Sequence, residues 1–103
     1  MAVIHINKEN FEQIKNGDQV VLIDFYADWC GPCRMVAPIV SQIAEENPAY
    51  FVGKVNVDEE AALAQEFGVV SIPTLIVMKN GEIVNRIVGA RPKAQILEML
   101  EKA

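Results

Sequence analysis

The sequence predicts a mixed α/β fold, in which a central five-stranded sheet has helices on both faces and four helices in all. Apolar runs typical of buried strands alternate with segments of helical apolar spacing, and an Asn-Gly turn joins the last two strands. The alternating part implies parallel strands with right-handed crossovers, whereas the hairpin adds an antiparallel edge. The chain has 103 residues, 51% apolar and 22% charged, which predicts one domain spanning residues 1–103.

The first half of the chain is predicted to form two strands and two helices. A weak strand at Val3–Ile6 precedes a helix that Asn7 can cap. Val20–Tyr26 is almost continuously apolar, which is typical of a strand that is buried on both faces. Gly31-Pro32 can open the second helix, because the first turn of a helix does not need the N–H that proline lacks. Its apolar residues recur at helical spacing, at Val36, Ile39, Val40, Ile43 and Ala44.

The second half is predicted to add three strands and two helices. The strands are expected at Tyr50–Val57, Thr74–Met78 and Glu82–Val88. Asp58 can cap a short helix after the first of these strands. Asn80-Gly81 is a strong hairpin signal between the other two, and Pro92 is expected to start the last helix.

The charge balance and the apolar pattern exclude several classes of function. The chain carries 9 Lys and Arg residues against 14 Asp and Glu residues, a net charge of −5, which disfavours binding to nucleic acid or to an anionic membrane surface. The apolar runs are too short for a bilayer-spanning helix. The first residues lack the basic start and long apolar stretch of a signal peptide, so a cytoplasmic protein is expected.

The two cysteines, Cys30 and Cys33, are the residues that say most about chemistry. They follow a buried strand and lie at the start of a predicted helix. The free N–H groups and the positive dipole end of such a helix stabilise a thiolate, which is the nucleophilic form of cysteine. Their spacing brings the second sulfur one turn along the helix, within bridging distance of the first. Such a pair can cycle between dithiol and disulfide.

Two other interpretations of the cysteine pair are open. Half of a zinc or iron–sulfur site has the same spacing, but structural zinc needs four ligands and the chain adds only a distant histidine, His5. Two copies of the chain would then have to share the metal. The cysteines could also be structural, although a disulfide closing a four-residue loop contributes only about 2 kcal/mol, against roughly 4.7 for a 100-residue loop. The redox interpretation is therefore favoured.

Several segments of the chain resemble the thioredoxin family. They are Asp24–Ala27, Trp29–Cys33, Ala37-Pro38, Lys54–Asp58, Ile72–Thr74, Lys79–Gly81 and Val88–Ala90, and they cover nearly the whole chain in order. The resemblance implies the thioredoxin fold and a protein-disulfide reductase that receives electrons from a thioredoxin reductase. It also implies disulfide-containing proteins as substrates.

Matched by position, Cys30 resembles the family's attacking cysteine and Cys33 its resolving cysteine. Asp24 resembles the buried acid behind the pair, and Lys54 resembles that acid's neighbour. The residues expected to bind substrate are Trp29, Gly31, Pro32, Val70, Ile72, Pro73, Gly89 and Ala90. Among them, Pro73 matches a cis-proline that faces the disulfide.

Each of these positions also has a simpler interpretation. A carboxylate in the core must be paired or protonated, but Asp24 could instead lie at the surface at the end of its strand. Lys54 could be a solvated strand residue, and Val70 and Ile72 could be ordinary loop residues. Pro73 could be an ordinary proline at a strand start, since only about 5–6% of X-Pro bonds are cis in folded proteins.

Three departures from the family pattern concern partner preference rather than chemistry. Tyr26 stands where many members have tryptophan, which leaves Trp29 as the only tryptophan of the chain. Val70-Ser71 stands where many members have a basic residue or glycine. Pro92 shifts the start of the last helix.

Three functions are compatible with these features. They are a reductant of protein disulfides, an oxidase or isomerase of disulfides in an oxidising compartment, and a non-catalytic interaction subunit that uses the fold as a scaffold. The Gly-Pro dipeptide between the cysteines, together with Asp24, matches reducing members of the family. A monomer is expected. The chain has no dinucleotide-binding fingerprint, so no cofactor is expected and electrons must arrive through a partner.

Overall fold

The computed structural model describes residues 3–103 and contains the strands and helices in the predicted order. The strands are β1 (Ile4–His5), β2 (Val21–Tyr26), β3 (Phe51–Asn56), β4 (Thr74–Lys79) and β5 (Glu82–Val88). The helices are α1 (Lys8–Lys15), α2 (Gly31–Glu46), α3 (Ala61–Glu66) and α4 (Lys93–Glu101). None of the helices in this part of the chain is long and apolar enough to cross a membrane.

The strands form one sheet in the order β1-β3-β2-β4-β5. The pairs β1–β3 and β3–β2 are parallel, whereas β2–β4 and β4–β5 are antiparallel. The antiparallel part therefore includes the β2–β4 pair as well as the predicted β4–β5 hairpin. Asn80 and Gly81 form the hairpin turn with positive φ angles of 54° and 80°, as this dipeptide predicts. The mixed sheet predicted from the sequence is confirmed.

Strand β2 lies in the middle of the sheet because both of its faces are apolar. Val21, Ile23 and Phe25 pack into one core cluster, together with Phe11 of α1 and Leu63 of α3. Leu22 packs into a second cluster, which the apolar faces of α2 and α4 supply. Because side chains alternate along a strand, Asp24 lies on the same face as Leu22. This alternation brings the only charged residue of β2 under the helix that starts at the cysteines.

Local signals predicted the start of α1 correctly and the start of α3 incorrectly. The side chain of Asn7 accepts a hydrogen bond from the N–H of Asn10 at 2.8 Å, and the side chain of Asn10 accepts one from the N–H of Asn7 at 2.9 Å. At α3 the N-cap is Glu60, with no side-chain cap bond. Asp58, the predicted cap, instead accepts a hydrogen bond from a distant tryptophan. The carboxylate of Asp58, which the local pattern predicted to cap α3, therefore binds Trp29 instead.

Candidate active site

The two cysteines form a disulfide at the start of α2. Cys30 is the N-cap residue, and the N–H of Cys33 donates a hydrogen bond to the Sγ atom of Cys30 at 3.2 Å. Their Cα atoms are 5.3 Å apart, which is within the usual range for a bridge. In the reduced protein, the same N–H and the helix dipole stabilise negative charge on Cys30. The backbone geometry therefore favours a thiolate at the first cysteine.

The loop before β4 lies against Cys30. The carbonyl oxygen of Ile72 is 3.8 Å from the Sγ atom of Cys30, and the Ile72 side chain packs against the cysteine pair. The bond between Ile72 and Pro73 is cis, as the family resemblance implied. The structure thus places the backbone of Ile72 beside the sulfur that the sequence predicted to attack.

The end of β5 is held next to the same loop. The N–H of Gly89 donates a hydrogen bond to the carbonyl of Pro73 at 2.8 Å, and Gly89 has a φ of 97°, which L side chains rarely adopt. The hydroxyl of Thr74 donates to the carbonyl of Ser71 at 2.6 Å and fixes the loop from within. The end of β5 is therefore joined to the loop that contacts Cys30.

The remaining predicted docking residues are exposed around these segments. Trp29 is 68% exposed and Val70 is 96% exposed, and Gly31, Pro32 and Ala90 are exposed as well. Val70 projects into solvent more completely than any other large apolar side chain of the described residues. We name the set of Trp29, Gly31, Pro32, Val70, Ile72, Pro73, Gly89 and Ala90 the docking surface.

Asp58 orients the tryptophan of the docking surface. The indole Nε1–H of Trp29 donates a hydrogen bond to Oδ2 of Asp58 at 2.9 Å. Asp58 follows β3, and its own N–H is held by the side chain of Asn56 at 2.9 Å. Sequence reasoning missed this contact because Asp58 lies 29 residues from Trp29 and has the pattern of a helix cap. No local signal distinguishes the two uses of the carboxylate.

A single carboxyl group, that of Asp24, is buried behind the disulfide. Asp24 is 3% exposed, and its Oδ1 atom has no hydrogen-bond partner among the residues that the structure describes. Burial raises the pKa of this carboxyl from 3.8 to about 7, and the positive charge of Lys54 partly opposes the rise. The prediction that a buried Asp24 must be paired or protonated agrees with this environment.

A cleft of about 500 Å³ has both Asp24 and Cys33 among its lining residues. Both residues line it, whereas Cys30 does not. Lys54 is the register partner of Asp24 across β2–β3, and its Nζ atom lies 5.6 Å from the ring centre of Tyr26. His5, exposed at the edge strand, is in turn the register partner of Lys54 and lines the same cleft. The buried carboxyl and the second sulfur therefore face the same cleft.

Within residues 3–103, no group of three or more His, Cys, Asp or Glu side chains is arranged to hold a metal ion.

Comparison with known proteins gives matches along almost the entire chain. The family model described as Thioredoxin matches residues 2–102. The chain is 45% identical to a thioredoxin from Haemophilus influenzae, over 97% of this chain and 95% of the relative. It is also 45% identical to a thioredoxin from Porphyra purpurea, over 99% of this chain and 97% of the relative.

Solved structures of thioredoxins have the same fold. A mutant thioredoxin from Halobacterium salinarum NRC-1 superimposes with a TM-score of 0.92 at 36% identity, covering 98% of this chain and 89% of that chain. A thioredoxin from Malassezia sympodialis gives a TM-score of 0.88 at 37% identity, covering 97% and 90%. Together with the disulfide-forming pair at the start of α2, these similarities make the protein a thiol–disulfide oxidoreductase that reduces disulfides in protein substrates. The chain belongs to the thioredoxin family.

Proposed function

We propose that the protein carries electrons from a thioredoxin reductase to substrate disulfides, with Cys30 as the attacking and Cys33 as the resolving cysteine. The observation that carries this assignment is the hydrogen bond from the Cys33 N–H to the Sγ atom of Cys30. It stabilises a thiolate at Cys30 in particular, and that sulfur is also the one beside the docking surface.

The two steps transfer two electrons in total. The Cys30 thiolate attacks one sulfur of the substrate disulfide and forms a mixed disulfide, while the other substrate sulfur leaves as a thiolate. The Cys33 thiol then loses its proton and attacks the Sγ atom of Cys30, which releases the second substrate thiolate. Cys30 and Cys33 end as a disulfide and the substrate ends as a dithiol. The reductase reverses the change in this protein.

Asp24 is proposed as the base that accepts the proton of Cys33. A carboxyl with a pKa of about 7 is divided between its two protonation states at neutral pH, which suits a group that both accepts and donates protons. The cleft contains Asp24 and Cys33 together, so the proton can pass along it. Lys54 stabilises the ionised form of the carboxyl and is proposed to set the pH at which the transfer works.

The docking surface is proposed to bind an extended segment of the substrate. The backbone of Ile72 can pair with such a segment in the manner of an added strand. Trp29 and Val70 supply exposed apolar surface around that segment, Pro73 is buried beneath it, and Gly89 adds no side chain of its own. Backbone pairing depends little on the side chains of the substrate, which is consistent with many different protein substrates. We further propose that the chain works as one domain, as a monomer, and in the cytosol.

The test is reduction of a protein disulfide in the presence of NADPH and a thioredoxin reductase. We expect catalytic amounts of the protein to accelerate the reduction. No acceleration, with either the reductase or dithiothreitol as the electron source, would contradict the proposal. The measured reduction potential separates a reductant from an oxidase, because a strong disulfide oxidant has a far more positive potential. Gel filtration tests the monomer.

A further inference from the structure

Arg91 follows the docking surface and folds back over it. Its Nη1 atom donates a hydrogen bond to the carbonyl of the preceding residue, Ala90, at 3.1 Å. A Cβ atom added to Gly89 would lie 3.0 Å from the same Nη1 atom. The guanidinium group therefore covers the backbone of Gly89 and Ala90, the segment that is hydrogen-bonded to Pro73. In the free protein the guanidinium is hydrogen-bonded to the carbonyl oxygen of Ala90. That oxygen is one that the backbone of an arriving strand could use as an acceptor.

This guanidinium group has no carboxylate partner within 4.0 Å among residues 3–103. The salt bridges of that range join Lys93 to Glu46 and Lys102 to Glu98. Arg91 is half-buried as a residue, while its guanidinium hydrogen bond to Ala90 lies at the exposed surface, where an arriving ligand can reach it. A planar guanidinium in this situation is well suited to bind a carboxylate, because its fork of N–H donors matches the two carboxylate oxygens.

A small groove next to Arg91 is lined mainly by apolar side chains. It has a volume of about 270 Å³ and is lined by Met35, Val36, Ile39, Ala90, Arg91 and Pro92. Met35 is 69% exposed at its edge. The groove shares Ala90 with the docking surface, so a segment bound at Cys30 can extend into it. Apolar walls with one cation suit a side chain that has an aliphatic stem and a terminal carboxylate.

We propose that Arg91 is a specificity-determining residue that favours substrates with a glutamate or aspartate flanking the reactive disulfide. The inference rests on the proposed binding of an extended substrate segment beside Cys30. When that segment binds, the guanidinium leaves the carbonyl of Ala90 and pairs with the substrate carboxylate. The freed carbonyl then accepts a hydrogen bond from the substrate backbone. A neutral or basic residue at the same place breaks the bond to Ala90 without replacing it.

The test uses short peptides in which one cysteine forms a mixed disulfide with an aromatic thiol. Cys30 of the reduced protein attacks the peptide sulfur, and the coloured aromatic thiolate that leaves reports the rate. Glutamate, glutamine or lysine is placed at each of the three positions on either side of the cysteine. At the position that reaches Arg91, we expect glutamate to react about three- to fivefold faster than glutamine, as for a partly exposed ion pair, and lysine to react more slowly. The preference should shrink in about 1 M salt, where charges are screened beyond about 3 Å.

Three variants identify the residue responsible. Arg91→Gln should bring the ratio of glutamate to glutamine rates close to one, and Arg91→Lys should keep part of the preference because it retains the charge without the planar fork. Lys79→Gln is the matched control, since it changes the net charge equally at the opposite end of β4 and should keep the wild-type ratio.

Two results would overturn the inference and leave the proposed function intact. One is equal rates for all three peptide types with the wild-type protein. The other is an unchanged glutamate preference in Arg91→Gln. No reaction with any peptide would instead overturn the proposed function, and the inference with it.

Discussion

The disulfide lies between two regions that differ in their exposure to solvent and in the chemical groups that they contain. On one side, Cys30 meets the docking surface, whose Trp29 and Val70 are largely exposed to solvent. On the other side, Cys33 lines a cleft that is also lined by Asp24, whose carboxyl is buried. In the proposed mechanism, the docking surface pairs with the backbone of the substrate, whereas the cleft holds the buried carboxyl of Asp24 that exchanges a proton. The proposed mechanism therefore assigns recognition and proton transfer to different residues.

The two regions also differ in how they affect the stability of the fold. Exposed side chains lose little hydration on folding, so changes to Trp29 and Val70 of the docking surface should mainly affect binding. The carboxyl of Asp24 loses its hydration and has a hydrogen-bonding oxygen without a partner among the described residues. It therefore destabilises the folded state whenever it is ionised. A change in the cleft should alter stability and rate together, and this difference organises the predictions.

The largest effect is expected at the disulfide itself, where the two regions meet. Cys30→Ser should abolish turnover and form no covalent adduct with substrate. Cys33→Ser should also abolish turnover but should accumulate a mixed disulfide through Cys30, because the resolving thiol is missing. Non-reducing gels and mass spectrometry of the adduct measure this outcome. Faster alkylation of Cys33 than of Cys30 in the reduced protein would reverse the assignment.

The second largest effect is expected at Asp24. Its folded pKa of about 7 lies above the ordinary value of 3.8, so the folded state holds the proton to higher pH than the unfolded state does. The free energy of unfolding is therefore highest below about pH 4, where Asp24 is protonated in both states. It falls between pH 4 and pH 7 and does not change further, through this group, at higher pH. Asp24→Asn removes the loss and should stabilise the protein at pH 8 by up to roughly 4 kcal/mol, since one pKa unit corresponds to about 1.4 kcal/mol.

The same variant should slow disulfide exchange and remove a rise in rate with pH near pH 7. Denaturant unfolding from pH 4 to pH 9 and single-turnover kinetics over the same range measure the two effects. Glu82→Gln, an exposed residue at the start of β5, is the control with the same change in charge. An asparagine variant that is less stable and equally fast would contradict the role of Asp24.

The third effect isolates the docking surface. Gly89→Asp places a side chain at a φ of 97° on the rim, and we expect KM for a protein disulfide to rise about tenfold, with backbone strain of about 1–2 kcal/mol. Reduction of a small aromatic disulfide should change much less, because it needs no docking strand. Gly81→Asp is a matched control, since it has a φ of 80° and lies in the distant hairpin turn. Equal losses on both substrates would show damage at the cysteines instead of a docking defect.

The smallest effect is expected at the hydrogen bond between Trp29 and Asp58. Asp58→Ala removes the acceptor and should free the indole, which lowers kcat/KM for protein disulfides by about two- to threefold, as expected for the loss of one exposed hydrogen bond. Asp58→Asn keeps an acceptor and should stay closer to the wild type. The fluorescence of Trp29, the only tryptophan of the chain, reports the change directly. An unchanged emission spectrum in Asp58→Ala would show that the bond does not hold the indole in solution.

The sequence by itself determined the order of the elements and the position of the cysteine pair. Short patterns can predict a helix cap, a helix start and a hairpin because the interactions that form them join residues close in sequence. The examples in this chain are the cap formed by Asn7 and Asn10, the helix start at Pro32 and the turn at Asn80-Gly81. The unbroken apolar character of β2 likewise predicted a central strand, and made Asp24 conspicuous as the one carboxyl within it.

Only the tertiary structure decided which distant groups meet at the disulfide. Ile72 contacts Cys30 across 42 residues of chain and Trp29 contacts Asp58 across 29, because the sheet brings the ends of β2 and β3 next to the start of β4. The same sheet makes Lys54 the partner of Asp24 by register. Asp58 is the instructive case, since one carboxylate could cap α3 or bind the indole with equal local plausibility. Short-range patterns rank such alternatives poorly, because the free energy that separates them comes from contacts that exist only after the sheet has formed.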